Sequence, residues 1–380
     1  HATQILGPAA QTRSLLNLTT IEGYQRARPH RTLVIGVDIR KGQNRVLPYP
    51  YLRTAPSSVR ISATVAVLQT AGVFHPGAAG EKLVLQKLFS QLRNFLLAPA
   101  TMLFVFDGPG RPDIKRGTKV VHRPRGLTDC LKRMITNFGY YFYDAPGEAE
   151  AELGQLNERG LIDGIITEDS DAFLFGGRLV IRTLGPTTQH NSLIYAMDSI
   201  ENTDSVSLDK AGLILCALLL GGDYHSGIPG VGPNIAHAIA ALGFGTDLVD
   251  ILVCQETEGP LVLWRGRLRE ELRTNSSGRL SKRWPNLAKN IPDTFPSLEV
   301  ANLYLNPLTS ASAGYAGPMP AGFWPPQEPA IFELTNLYST LFGWSGGDLL
   351  TKLNATVWPG VAFRMMCSVS KAPECWCSIC

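Results

Sequence analysis

The sequence predicts an α/β fold, a mostly parallel sheet with helices on both faces, and two observations carry that prediction. The first is a set of three short apolar runs: RTLVIGVD from Arg31, TMLFVFDG from Thr101 and LIDGIITEDSD from Leu161. Runs that are apolar throughout and too short for ordinary helices fit strands of a parallel sheet, which is covered from both sides. The second is that helical patterns separate these runs, and strands alternating with helices build parallel sheets.

Each element can be justified in order. The first run ends at Asp38 and the second at Asp107. Between them, Leu83 to Leu97 places Leu85, Leu88, Phe89, Leu92 and Leu96 at helical spacing, which supplies a crossover. A helix over Glu148 to Arg159, stopped by Gly160, leads into the third run, whose end is the acidic cluster Glu168, Asp169 and Asp171. Sheets of this kind place ligands beyond the carboxyl ends of their strands, where these acids fall. Residues 39–68 hold five basic residues and no acid, with Pro48, Pro50 and Pro56, and read as an anomalous irregular insertion. Residues 306–330, rich in Pro, Gly, Ala and Ser, read as a linker before a last helical stretch from about Pro329 to Leu353.

Composition narrows the function classes. In 380 residues, a hydrophobic content of 44% suffices for one large domain or two ordinary ones. The longest strongly apolar run, around Leu213 to Leu220, falls far short of the ~20 residues of a membrane span, so no membrane partner is expected. Seven cysteines without framework spacing argue for reduced thiols rather than a disulfide scaffold. Cys375, Cys377 and Cys380 invite a zinc reading, which their unusual spacing and the four ligands of a tetrahedral site disfavour, and Cys216 lies in an apolar helix and reads as core. A net charge of +3 is too small to announce a nucleic-acid partner, but the charges are segregated. Residues 108–135 hold eight Lys or Arg against two acids, 144–171 one against nine, and 263–289 eight against two. Two basic patches flank an acidic pocket.

Asp38, Asp107, Glu148, Glu150, Asp169, Asp171 and Asp223 are the candidate site, since most fall at strand ends or helix starts. Gathered carboxylates repel one another unless cations neutralise them. All are oxygen donors with no accompanying His or Cys cluster, which favours Mg²⁺ or Mn²⁺ over zinc. Two such ions about 4 Å apart suit phosphodiester hydrolysis, and the absence of a GxxxxGK[ST] loop disfavours an ATPase. Asp169 and Asp171, two apart, would share one face of an extended strand end. On a regular helix Glu148 shares a face with Glu152 rather than Glu150, so spacing leaves Glu150 and Glu152 as alternatives. GIPGVGP, Gly227 to Pro233, sits between an apolar helix and NIAHAIAAL. Gly227, Gly230 and Gly232 allow a tight turn and close approach to a phosphate, and Pro233 suits the first turn of a helix. An ordinary helix–helix turn is the plainer alternative.

FVFDGPG, APGEAEAEL, TEDSDAFLFG and LLLGGDY followed by GIPGVG resemble, in that order, the signatures of the XPG-type structure-specific nucleases, which include flap endonucleases and eukaryotic Holliday-junction resolvases. EAEAELGQLNERGLIDGIITEDSDAFLFG looks more like the junction-resolvase branch. The resemblance implies a PIN-like nuclease core over residues 1–222, a helix–hairpin–helix (H2TH) DNA-binding region over 223–305, a linker at 306–330 and a C-terminal helical segment and tail at 331–380. It implies an Mg²⁺-dependent endonuclease acting on 5′-flap or four-way-junction DNA in nuclear repair or recombination, with Mn²⁺ able to substitute. The seven carboxylates carry over as metal ligands, which favours Glu150 over Glu152. Lys115 looks like the family's lysine that approaches the scissile phosphate, and Arg116, Lys119 and Arg123 become phosphate contacts that recognise shape rather than base sequence. The hairpin glycines would grip the duplex, with a monovalent cation there in some cases. Whether two copies assemble on a junction stays open.

The chain also departs from the family pattern. It opens HATQILG where the family begins Met-Gly, and RKGQNRVLPYPYLRTAPSSVR follows Asp38 where the family has a DNA-facing helix. The 40 positions between Asp107 and Glu148 leave little room for an arch that threads a free DNA end, so side-on recognition of a junction is expected. A catalytically impaired scaffold that binds branched DNA is the alternative from another class, and a small-ester phosphatase is a third.

Overall fold

The computed structural model describes residues 2–25, 32–38, 79–112, 114–115, 118–119, 125–183, 191–254, 258–320 and 322–370. The segment 39–68 and Cys375, Cys377 and Cys380 lie outside these residues. Nine strands occur among them: β1 (Gln11–Ser14), β2 (Leu33–Asp38), β3 (Ala100–Phe106), β4 (Ile114–Lys115), β5 (Thr118–Lys119), β6 (Tyr141–Asp144), β7 (Gly164–Ile166), β8 (Leu179–Thr183) and β9 (Asn191–Ala196). Seven of them form one sheet in the order β1-β9-β8-β7-β2-β3-β6, and β4 and β5 pair separately. β8, β7, β2, β3 and β6 are mutually parallel, while β9 and β1 close one edge antiparallel. The predicted α/β class is therefore the observed one.

Alternation along the central strands shows why the runs are apolar throughout. Val34, Leu103, Val105 and Ile165 face one layer, and Ile35, Val37, Met102, Phe104, Phe106 and Ile166 face the other. On the first face lie the helix Ala149–Glu158 and the helical region that begins with Lys210–Leu220. Gly36 makes the approach possible, because a Cβ there would meet Leu153 and Ile162. On the second face lie Ala79–Phe95 and Arg125–Asn137, with Leu85, Leu88, Phe89, Leu92 and Leu96 all buried as the spacing predicts.

The helical region continues through Pro233–Ile239, Gly245–Val253, Glu258–Thr274, Pro285–Asn290 and Leu298–Leu305. Residues 233–253 are apolar enough to cross a membrane by composition and length, yet Gly243 at φ 83° breaks the helix, and Ile235, Ala236, Ile239 and Leu248 are buried in the core.

The described residues of 306–330 form neither helix nor strand and run along the β6 edge. Tyr141 and Tyr143 donate their hydroxyls to the carbonyls of Pro325 (2.9 Å) and Pro318 (2.8 Å). The last helical stretch is three helices rather than one. Gly343, in the left-handed region at φ 68°, ends Ile331–Phe342, and Gly346–Thr356 and Trp358–Ser370 follow. Tyr338 of the first packs its ring on Phe89, Leu334 and Leu337 join the same buried cluster, and Arg364 of the third donates to the Ala100 carbonyl (3.0 Å) at the start of β3.

Candidate active site

Two glycine-containing loops bring the first acids together at the carboxyl end of the sheet. Gly108 N donates to Gly147 O (2.7 Å) and Gly110 N to Pro146 O (2.9 Å), so the DGPG and APGE loops lie side by side. A Cβ at Gly108 would collide with the Ala145 carbonyl, which explains the glycine. Asp107, one residue past β3, accepts from Ala149 N (3.0 Å) and from the buried Arg111 (3.4 Å). A carboxylate beside the first backbone amide of a helix is favourably placed.

Glu148 and Glu150 are both buried, by different routes. Glu148 lies just before the helix in an extended conformation (φ −81°, ψ 137°), so helical periodicity does not apply to it. Glu150 stands in the first helical turn. Glu152, fully buried, turns away from the other acids: its carboxylate accepts from Ser310 N (2.8 Å) and Ser310 Oγ (2.5 Å). Burial raises the Glu152 carboxyl above the usual range, and the two Ser310 donors pull it back down. The alternatives left by spacing are thus separated by position, with Glu150 toward the acids and Glu152 toward the 306–330 segment.

The far side of the site is a turn. β7 ends at Ile166, and Thr167 Oγ1 donates to Asp38 Oδ2 at the end of β2 (3.2 Å). Asp169 N donates back to Thr167 Oγ1 (3.1 Å), and Asp171 N to Asp169 Oδ1 (3.2 Å). Asp171 then opens a short 3₁₀ turn, Asp171–Phe173. The expectation that Asp169 and Asp171 share one face of an extended strand is therefore corrected, because side chain to backbone hydrogen bonds curl the chain here. Asp223, 1% exposed, follows the helix Lys210–Leu220 after the positive-φ Gly221 (85°).

One oxygen each from Glu150, Asp169 and Asp223 lie within 4.8 Å of one another. Three carboxylates this close repel strongly, and an all-oxygen set matches a hard divalent cation, so the residues present fit Mg²⁺ or Mn²⁺. The other four acids border this group. Asp171 is bonded to Asp169, Asp38 is linked to it through Thr167, and Asp107 and Glu148 flank the start of the helix that carries Glu150.

An aromatic wall behind the acids was not singled out from the sequence. The Tyr224 hydroxyl donates to Glu148 Oε2, the Tyr224 ring lies 5.1 Å from that of Tyr304, and Tyr304 lies 6.1 Å from Phe175. Burial, then the Glu148 carboxylate, push the Tyr224 phenol far above its ordinary range, so it stays a donor. Its place directly after Asp223 was a readable signal, whereas Tyr304 offered none.

Lys115 and Lys119 lie on β4 and β5, where Lys115 pairs with Thr118 and Ile114 with Lys119. Their side chains, and Arg116 and Arg123 altogether, are outside the described residues. At the hairpin, Gly227 (φ 78°) and Gly230 (φ 91°) require their glycines, and a Cβ at Gly227 would lie 2.5 Å from the Leu220 carbonyl carbon. Gly232 precedes the helix Pro233–Ile239, and a Cβ there would meet no atom within 4 Å, so its backbone is open to a ligand. Leu287 Cδ1 would lie 3.5 Å from a Cβ at Gly230, and Arg279, Lys282, Arg283 and Lys289 of the same helical region are exposed.

Comparison with known proteins bears on the fold and on the segment that carries most of these acids. Residues 139–223 match the XPG I-region. The Single-strand DNA endonuclease 1 of Oryza sativa subsp. japonica is 31% identical over 227 residues, 52% of this chain and 35% of the relative. The chain thus spans about a third of that relative's length. Among solved structures, the Holliday junction-resolving enzyme GEN1 in complex with product DNA, Mg²⁺ and Mn²⁺ ions matches at TM-score 0.69 and 27% identity, over 97% of this chain and 79% of that one. A eukaryotic junction-resolving enzyme GEN-1 binding with potassium matches at TM-score 0.68 and 27% identity, over 94% and 77%. The segment containing Glu148, Glu150, Asp169, Asp171 and Asp223 matches the XPG I-region, and the fold resembles that of the GEN1 junction-resolving enzyme. The resemblance read from the motifs is borne out.

Proposed function

We propose that this chain is a structure-specific endonuclease that hydrolyses phosphodiesters in branched DNA, a four-way junction or a 5′-flap, during repair or recombination in the nucleus. The observation that carries the reading is the convergence of one oxygen each of Glu150, Asp169 and Asp223 to within 4.8 Å of one another at the carboxyl end of the sheet. Those three residues would hold a divalent cation, Mg²⁺ or Mn²⁺, and Asp38, Asp107, Glu148 and Asp171 would serve a second. Two such ions supply an activated water and charge stabilisation at the leaving oxygen. The chain's own part is to fix the carboxylates: Ala149 N and Arg111 orient Asp107, Thr167 orients Asp38, and the Asp169–Asp171 turn sets the remaining pair.

Lys115, Arg116, Lys119 and Arg123 in one basic segment, and the exposed Arg279, Lys282, Arg283 and Lys289 in the helical region, would hold phosphates at two places along the duplex. A monovalent cation at Gly227 to Gly232 fits the same reading, supported by the potassium-binding relative. The short interval from Asp107 to Glu148 and the likeness to junction-resolving enzymes favour a four-way junction.

The test is cleavage of end-labelled four-way-junction and 5′-flap DNA, in Mg²⁺ and in EDTA, with Asp171→Ala as the matched control. Incision near the branch that requires both the cation and Asp171 is expected. Tight binding of junctions with no incision under any cation would overturn it in favour of a branched-DNA scaffold.

A further inference from the structure

The acid that the sequence places first in the EAE run, Glu148, is held by a side chain from a distant segment. Glu148 precedes its helix in an extended conformation and makes no side-chain capping bond to it, so its carboxylate is turned to groups outside the helix. Tyr224 supplies one such group, donating its hydroxyl to Glu148 Oε2. The ring that carries this hydroxyl is itself fixed, since it packs 5.1 Å from Tyr304, which is fully buried and packs 6.1 Å from Phe175. Gly222 admits the Tyr304 hydroxyl, which a Cβ at that position would strike. Three consecutive residues thus act on one place: Gly222 lets the aromatic wall close, Asp223 joins the three-carboxylate group, and Tyr224 holds the neighbouring carboxylate.

We infer that Tyr224 is a positioning residue for cation binding, acting through Glu148. The inference rests on the proposed nuclease reading and deepens it. With one oxygen of Glu148 engaged by the phenol, the other is presented in a single orientation to the cluster beside it. Without the hydroxyl, Glu148 Oε2 would lose this donor, and the carboxylate would be held less closely in its place beside Glu150. Hydrogen-bond partners of metal-binding carboxylates commonly tune affinity about 10- to 100-fold, although they never touch the ion.

The experiment uses the full chain and Mn²⁺ alone, with free ion followed by electron paramagnetic resonance in the absence of DNA. Tyr224→Phe removes only the hydroxyl and is expected to weaken Mn²⁺ binding about tenfold while leaving the melting temperature near that of wild type. In junction cleavage, the Mg²⁺ activation curve of the variant should move to higher concentration by a similar factor, with KM for DNA unchanged and kcat largely recovered at saturating Mg²⁺. In a Glu148→Gln background, Tyr224→Phe should add little, because the two residues act as one unit. A Tyr224→Phe chain that binds Mn²⁺ like wild type, or that weakens binding equally with and without the Glu148 carboxylate, overturns the inference. A wild-type chain that takes up no Mn²⁺, or one whose uptake is unaffected by Asp223→Asn, overturns the nuclease reading itself.

Discussion

Glu150 and Glu152 are the same residue type on the same helix, two positions apart, and both buried, yet their surroundings give them different work. Glu150 shares a 4.8 Å neighbourhood with Asp169 and Asp223, where its negative charge is useful only to a cation. Glu152 has both its oxygens engaged by Ser310 and ties the 306–330 segment to the helix. Their substitutions should therefore separate chemistry from stability. Glu150→Gln should abolish cleavage and weaken Mn²⁺ binding while leaving the melting temperature unchanged or slightly raised, since it relieves repulsion. Glu152→Ala should destabilise by about 1–3 kcal/mol, because the buried Ser310 donors lose their acceptor. Chemical denaturation of both variants alongside a cleavage assay reads the two effects. Equal loss of stability in both would contradict the division of roles.

At the scale of elements, the site is assembled by loops whose backbones touch. Gly108 and Gly147 join the ends of β3 and β6, and this contact sets Asp107 against the start of the helix bearing Glu150. Gly108→Ala would force the DGPG loop away from the Ala145 carbonyl and carry Asp107 with it. A displacement of about 1 Å at such a position can cost on the order of 100-fold in rate, so kcat should fall by about that factor with the circular dichroism spectrum unchanged. Wild-type kcat in that variant would mean that the Asp107 position is set elsewhere. The strands and the crossover helix were legible because their signals are local: apolar runs of known length, and Leu85, Leu88, Phe89, Leu92 and Leu96 at one period. The turn at Asp169 and Asp171 was misread as strand because side chain to backbone bonds, not hydrophobic pattern, shape it. Ser310 was invisible as the partner of Glu152 because 158 positions separate them, and no pattern in either segment points to the other.

For the whole molecule, the question is whether the C-terminal helices are an appendage or part of the nuclease core. Leu334 and Tyr338 of Ile331–Phe342 are fully buried in the same cluster as Leu92 of the crossover helix and Met134, Ile135 and Phe138, and Val361 joins them from the last helix. Arg364 ties that last helix to β3 by its bond to the Ala100 carbonyl, with its guanidinium 4.9 Å from the centre of the Tyr140 ring. Covering of this kind is what a parallel sheet requires on both faces, and without these helices part of the second face would meet water. Leu334→Ala should therefore destabilise the sheet as well as its own helix, by about 2–5 kcal/mol, the usual cost of a cavity at a fully buried leucine. Because the two share one core, thermal unfolding of the variant should remain a single transition at lower temperature, and Mn²⁺ uptake by the carboxylates should disappear in that same transition. Two transitions, the lower one moved by the substitution and the upper one still carrying the bound ion, would show instead that residues 331–370 fold as a unit of their own.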